Sequence, residues 1–325
     1  MENCSQIQIK SIEKASHTLK KLLAALLAFI MLFAAACKFG DIDFDVTKAP
    51  QQQTQEPTQE PAHEKTAADA AFEAVDREVF ISVVTSSGLT FHQFVKDAAS
   101  FGIAEEDIER GWGELSQEAD AADFAENAEM RKKLSEIDRS QLSYRNRIAY
   151  DNLVLNLKLS DEIHAVPDAY YYNEPLTVFN GEHTMLPLML SMYEISSAED
   201  AENYVLLLED APRYIGQIEQ FEREKAAKGL FMTENALNKV LESCIKFAET
   251  GNNCFLIGFF EDEMASAEFE ISEQQKTALL ERSRNSIINE LLPAYRSLAN
   301  TLEQLRPQCG SFAGACMRSV DAKDY

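Results

Sequence analysis

From Glu234 onward the chain repeats one spacing: Leu237, Val240, Leu241, Cys244, Phe247 and Ala248 fall three or four residues apart. An α-helix of 3.6 residues per turn gathers such positions onto one face, so this stretch reads as an amphipathic helix with a buried stripe. The spacing recurs at Phe72, Val75, Val79 and Val83. It recurs again at Tyr144, Ile148, Leu155 and Leu159, in a helix expected over about 140–164. The last repeat runs through Leu280, Ile287, Leu291, Tyr295, Leu298, Leu302 and Leu305, where Pro293 predicts a kink. The two-residue alternation of strands is almost absent. The expected fold is all-α.

Local signals divide this helical body. Ser196 with Glu199, and Ser272 with Gln275, have the S-x-x-E/Q spacing of a capping box. Asp210 reads as the cap of a separate helix with Pro212 in its first turn and Gly229 at its end. A helix over about 117–137 starts with acid and ends near Arg131, Lys132 and Lys133, as the helix dipole favours. Trp112, between Gly111 and Gly113, reads as a turn whose indole plugs the core. Gly181, Glu182 and His183 read as an irregular loop closed by Pro187.

The first residues read as an address. Lys10, Lys14, Lys20 and Lys21 precede an apolar run from Leu22 to Ala36, closed by Cys37. A basic region, an apolar run too short to span a bilayer and a small-residue break fit a secretory signal over 1–37. Ala34-Ala35-Ala36-Cys37 resembles a bacterial lipobox, with Ala34 where leucine is usual, and that resemblance implies lipidation at Cys37. The alternative is a short uncleaved anchor. Residues 38–65, rich in Gln, Pro, Thr and Glu, read as a disordered tether, and 66–325 as the folded domain. The body then lies outside the cytoplasm, held to the membrane by its N-terminal lipid. A formal charge of −24 argues against nucleic acid as a partner. In an oxidising compartment Cys309 and Cys316 could bridge across a Gly-rich turn, and Cys244 with Cys254 is a second possible pair. Four cysteines allow three pairings, and the spacing does not choose among them.

Recognisable catalytic constellations are missing: the sequence contains no GxSxG, no phosphate loop and no CxxC. Asp161 and His164 have the spacing of half a di-metal carboxylate site, but no other expected helix carries a matching Glu-x-x-His, so they read as a surface pair. No metal ligands are assigned. Tyr170, Tyr171 and Tyr172 lie in a non-helical segment whose side chains alternate in direction, so at least one should line a groove or pack beneath the next loop. Tyr171, Gly181 and His183 are therefore the candidate binding residues. The simpler role for His183 is to brace its loop by hydrogen bonding.

One family resemblance covers most of the folded part, about Phe72 to Tyr325. Asp76 to Phe80, Leu89 to His92, and Phe101-Gly102-Ile103 resemble the opening motifs of the bacterial domain of unknown function 885. Gly181-Glu182-His183, Leu186-Pro187, Asp200, Tyr204, Leu207-Leu208 and Pro212 resemble its central signature. Phe221 to Glu224 and Gly229 to Met232 continue it. The resemblance implies a helical, cleft-forming body like that of zinc metallopeptidases. In that family an HExxH-like motif in the latter half binds zinc and activates water. This sequence has no HExxH, so the resemblance implies the N-terminal half alone, truncated before the zinc site, with no catalytic residue and no cofactor of its own. The expected roles are a non-catalytic half, a free-standing peptide-binding lipoprotein, or a half that assembles with a separate C-terminal half.

Overall fold

The computed structural model describes residues 64–311, and the signal segment, Cys37, most of the tether and Cys316 lie outside these. Among the described residues no strand forms, and Thr233 with Gly310 makes one isolated bridge. The expected all-α fold is what the chain adopts. Helix α1 spans Ala67–Thr85, α2 Gly88–Phe94, α3 Gln117–Ser135 and α4 Tyr144–His164. Helix α5 spans Glu182–Leu190, α6 Ala198–Ala227, α7 Glu234–Ala248 and α8 Phe255–Ser266. Helix α9 spans Glu273–Ser286, and α10 spans Leu292–Leu305.

The large core forms where α6, α7 and α10 pack together, with α9 along α6 and α5 against α7. Leu237, Val240, Leu241, Cys244 and Ala248 of α7 are buried, as the stripe predicts. A smaller core, built from Phe72, Val75, Leu134, Ile137, Leu142 and Leu157, joins α1, α3 and α4. Thr66 and Asp69 close a capping box on α1. The buried Asp69 carboxylate also accepts from the Ser143 N–H at 2.9 Å and Asn146 Nδ2 at 2.8 Å, which fixes the start of α4 to α1.

Several expectations are corrected. Asp210 does not start a new helix: α6 runs unbroken for 30 residues through Pro212. Leu207, Leu208, Ala211 and Ile215 form one continuous buried side across the proline, and that packing outweighs the local break. The Asp210 carboxylate instead accepts from the Trp112 N–H at 2.8 Å, while the Trp112 indole donates to the Leu207 carbonyl at 2.8 Å. The cap of α6 is Ser197, not Ser196, and Asp200 takes the role expected of Glu199. The Ser272–Gln275 box stands as expected. The long final helix is divided by a π-turn over Ile287–Leu291, directly before Pro293. There the Leu292 N–H reaches back five residues to Ile287. A π-turn next to proline is a recurrent way to bend a helix.

The most instructive difference is in α4. Tyr144, Ile148, Leu155 and Leu159, expected to be its buried side, are all exposed. Leu157 is buried instead, with Ala149, Tyr150 and Leu153 packed around the same core. The helix has two apolar sides, and the described body covers one.

Candidate functional site

The Gly181–His183 segment is a helix start, not an irregular loop. Gly181 is the N-cap of α5. A Cβ at Gly181 would lie 2.4 Å from the Thr177 nitrogen and 2.8 Å from His183 Nδ1, so a side chain there has no room. Pro187 sits within α5 and has no N–H to donate to the carbonyl four residues back, that of His183. Tyr295 fills the gap: its hydroxyl donates to the His183 carbonyl at 2.9 Å. This hydrogen bond, 112 residues apart in sequence, allows a proline inside a buried helix.

His183 itself is 4% exposed, and neither ring nitrogen has a hydrogen-bond partner among the described residues. Burial lowers its pKa to about 4, so the ring is neutral at physiological pH. The bracing role expected for its side chain is therefore filled by its carbonyl instead. Burial pushes the neighbouring Glu182 carboxyl up, with no compensating donor among the described residues.

Tyr171 packs against Phe221, with ring centroids 5.7 Å apart. It is buried, and its hydroxyl donates to Glu224 at 2.8 Å. Tyr170 is the tyrosine that faces an opening, a cavity of about 190 Å³ bounded also by Gln117, Gln217, Gln220, Phe221 and Glu224. Its ring meets Phe221 edge-on, with centroids 5.1 Å apart. Glu224 accepts from Gln220 Nε2 at 2.6 Å, and Gln220, Tyr171 and Gln117 together hold its carboxyl below the usual range. Gln117, Gln220 and Glu224 were not legible as site residues, because they come together only where Gln117, at the start of α3, reaches Glu224 of α6. His183 and Gly181 are not among the residues bounding this cavity.

The three described histidines lie in separate surroundings. His164 stacks on Phe124 with centroids 4.1 Å apart, and Asp161, its expected companion, pairs with Arg131 at 3.0 Å. His92 stacks on Tyr193 at 3.7 Å, with Nδ1 3.4 Å from Asp200. Among the described residues no group of three His, Cys, Asp or Glu side chains is placed to hold a metal ion. Cys244 and Cys254 are separate buried thiols, so they do not form the second pair considered above, and burial pushes the Cys244 thiol up to about 12. The partner proposed for Cys309, Cys316, lies outside the described residues.

The segments likened to family motifs do structural work. Tyr204, Leu207, Leu208, Phe221 and Glu222 are buried in α6. Arg223 donates to Thr301 Oγ1 of α10 at 2.8 Å, and Glu224 holds Tyr171. They join helices.

Comparison with known proteins agrees on the family. The model for DUF885, described as a bacterial protein of unknown function, matches residues 96–318. A crystal structure described as "the putative lipoprotein from Colwellia psychrerythraea" superposes with a TM-score of 0.63 at 14% identity. The match covers 79% of this chain and 45% of that one, so this chain spans less than half of the neighbour's length. No curated protein matches.

Proposed function

The chain belongs to the DUF885 family of bacterial proteins, and on that premise we propose that it is a lipid-anchored extracytoplasmic protein forming one wall of a larger peptidase-like body, without catalytic chemistry of its own. The observation that carries this reading is the fate of the motif residues on α6. They are spent on helix packing, and the chain's five histidines include no HExxH. The solved neighbour, with more than twice the matched length, supports a larger body of which this is one part. Its description as a lipoprotein supports reading Cys37 as the lipidated residue. Cys37→Ala should then move the protein out of the membrane fraction, and retention there would count against the anchor.

The main test is hydrolysis of a mixed peptide pool by the purified chain, with added zinc and with chelator. The reading expects no cleavage above blank. Chelator-sensitive cleavage would overturn it.

A second reading, peptide binding without cleavage, draws on the cavity beside Tyr170. Its roughly 190 Å³ is below the range of pockets for drug-sized ligands and suits one side chain of a bound peptide. Saturable binding that weakens several-fold in Tyr170→Ala and Gln220→Ala would support it. Binding unaffected by either substitution would move the site elsewhere.

A further inference from the structure

Helix α5 reads EHTMLPLML, apolar on every side after its first turn. A helix apolar all round is stable when covered all round. Here His183, Leu186, Pro187 and Leu190 face the core. The other side stays open: Leu188 is exposed, and Met192, one turn further on, is 67% exposed. Just ahead of the helix, Val178 is exposed and Phe179 is 90% exposed. Glu182, half-buried at the same helix start, is pushed up by burial, and no donor among the described residues offsets that.

The outer stripe of α4 is the rival surface. Asp151 lies within that stripe and pairs with Arg139, and Lys158 pairs with Glu162 at its end. Those charges are already satisfied in solvent. Among the described residues the surface at α5 has no such pairs.

We infer that the open side of α5, with Phe179 and Leu188, docks the part of the fold that the solved neighbour has and this chain does not match. This rests on the one-wall reading above. The neighbour's unmatched length, more than half of that protein, has to pack on some face of the matched part. The occupant is a polypeptide with an apolar face and one hydrogen-bond donor that meets Glu182. A second copy of this chain is a poorer occupant. Copies carrying a formal −24 repel each other, and a two-fold contact here would bring Glu182 towards its own counterpart.

A photo-crosslinking side chain placed at Phe179 or Leu188, in cells that make the full protein, tests this. Lys239, exposed on α7, serves as the control position. The expected result is a crosslink from 179 and 188, and not from 239, to peptides that align with the neighbour's unmatched part, whether on the same polypeptide or another. Crosslinks only to a second copy, only to lipid, equally from 239, or none at all would overturn the docking site. Phe179→Asp should lower the crosslink from 188 at least tenfold, while the melting temperature of the separately purified chain moves by no more than about 2 °C. A much larger drop would mean that the chain already covers this face itself, which also overturns the inference. Peptide cleavage by the chain alone would sink the one-wall reading without touching the crosslink. A second-copy crosslink would sink the docking site without touching the cleavage result.

Discussion

At the scale of residues, Tyr295 holds the position on which α5 depends. It is fully buried, and its hydroxyl serves the carbonyl that Pro187 leaves open. Tyr295→Phe keeps the ring and orphans a buried acceptor, so it should lower unfolding stability by about 1–3 kcal/mol in urea titration. An unchanged midpoint would mean that another donor reaches the His183 carbonyl. His183 makes a second prediction. Its pKa is about 4 when folded, against the ordinary 6.5, so the unfolded chain binds its proton more readily. Its contribution is complete above pH 6.5 and is lost as pH falls towards 4, by up to about 2–3 kcal/mol. Glu182 shifts the other way, so the comparison must be between proteins differing only at His183. Between pH 7.5 and 4.5 the native chain should lose stability that His183→Gln does not. Parallel curves would contradict the burial of a neutral ring. The sequence marked His183 by its place between Gly181 and Pro187, but it had no means of pointing to Tyr295, which lies 112 residues away and meets the His183 carbonyl only in the folded chain.

At the scale of elements, periodicity located the helices better than it oriented them. In α7 one side alone is apolar, and the stripe seen in the sequence is the stripe that packs. In α4 apolar residues lie on two sides, and the spacing cannot say which side meets α1 and α3. The difference is measurable. Leu157→Ala should cost about 2–4 kcal/mol by opening the small core, whereas Leu155→Ala should stay within about 0.5 kcal/mol. Equal losses would show that the outer stripe is buried after all. Local break signals also competed with packing. Pro212 was a sound reason to end a helix, yet the buried side of α6 continues past it with no change of phase. Ser196 and Ser197 differ by one residue, and the capping geometry chose the second.

At the scale of the whole molecule, the body is a set of helices tied together by the residues most likened to its family. Arg223 reaches Thr301 to join α6 to α10 and Glu224 holds Tyr171, while Asp210, outside those motifs, holds the Trp112 turn. All-helical architecture was legible because helical stripes recur along the chain and strand patterns do not. The candidate site was legible only in outline. The tyrosine segment does border a cavity, but through Tyr170 and not Tyr171, because a short 3-10 turn over Ala169–Tyr172 replaces the extended chain assumed there. The central claim is that this chain supplies a wall and not the chemistry. It is tested most directly by counting zinc retained per chain after the purified protein is loaded with the metal and passed through gel filtration. The account expects far less than one zinc per chain, since the described histidines, His92, His164 and His183, are held apart in separate ring stacks and a buried helix start. One tightly held zinc per chain would contradict it.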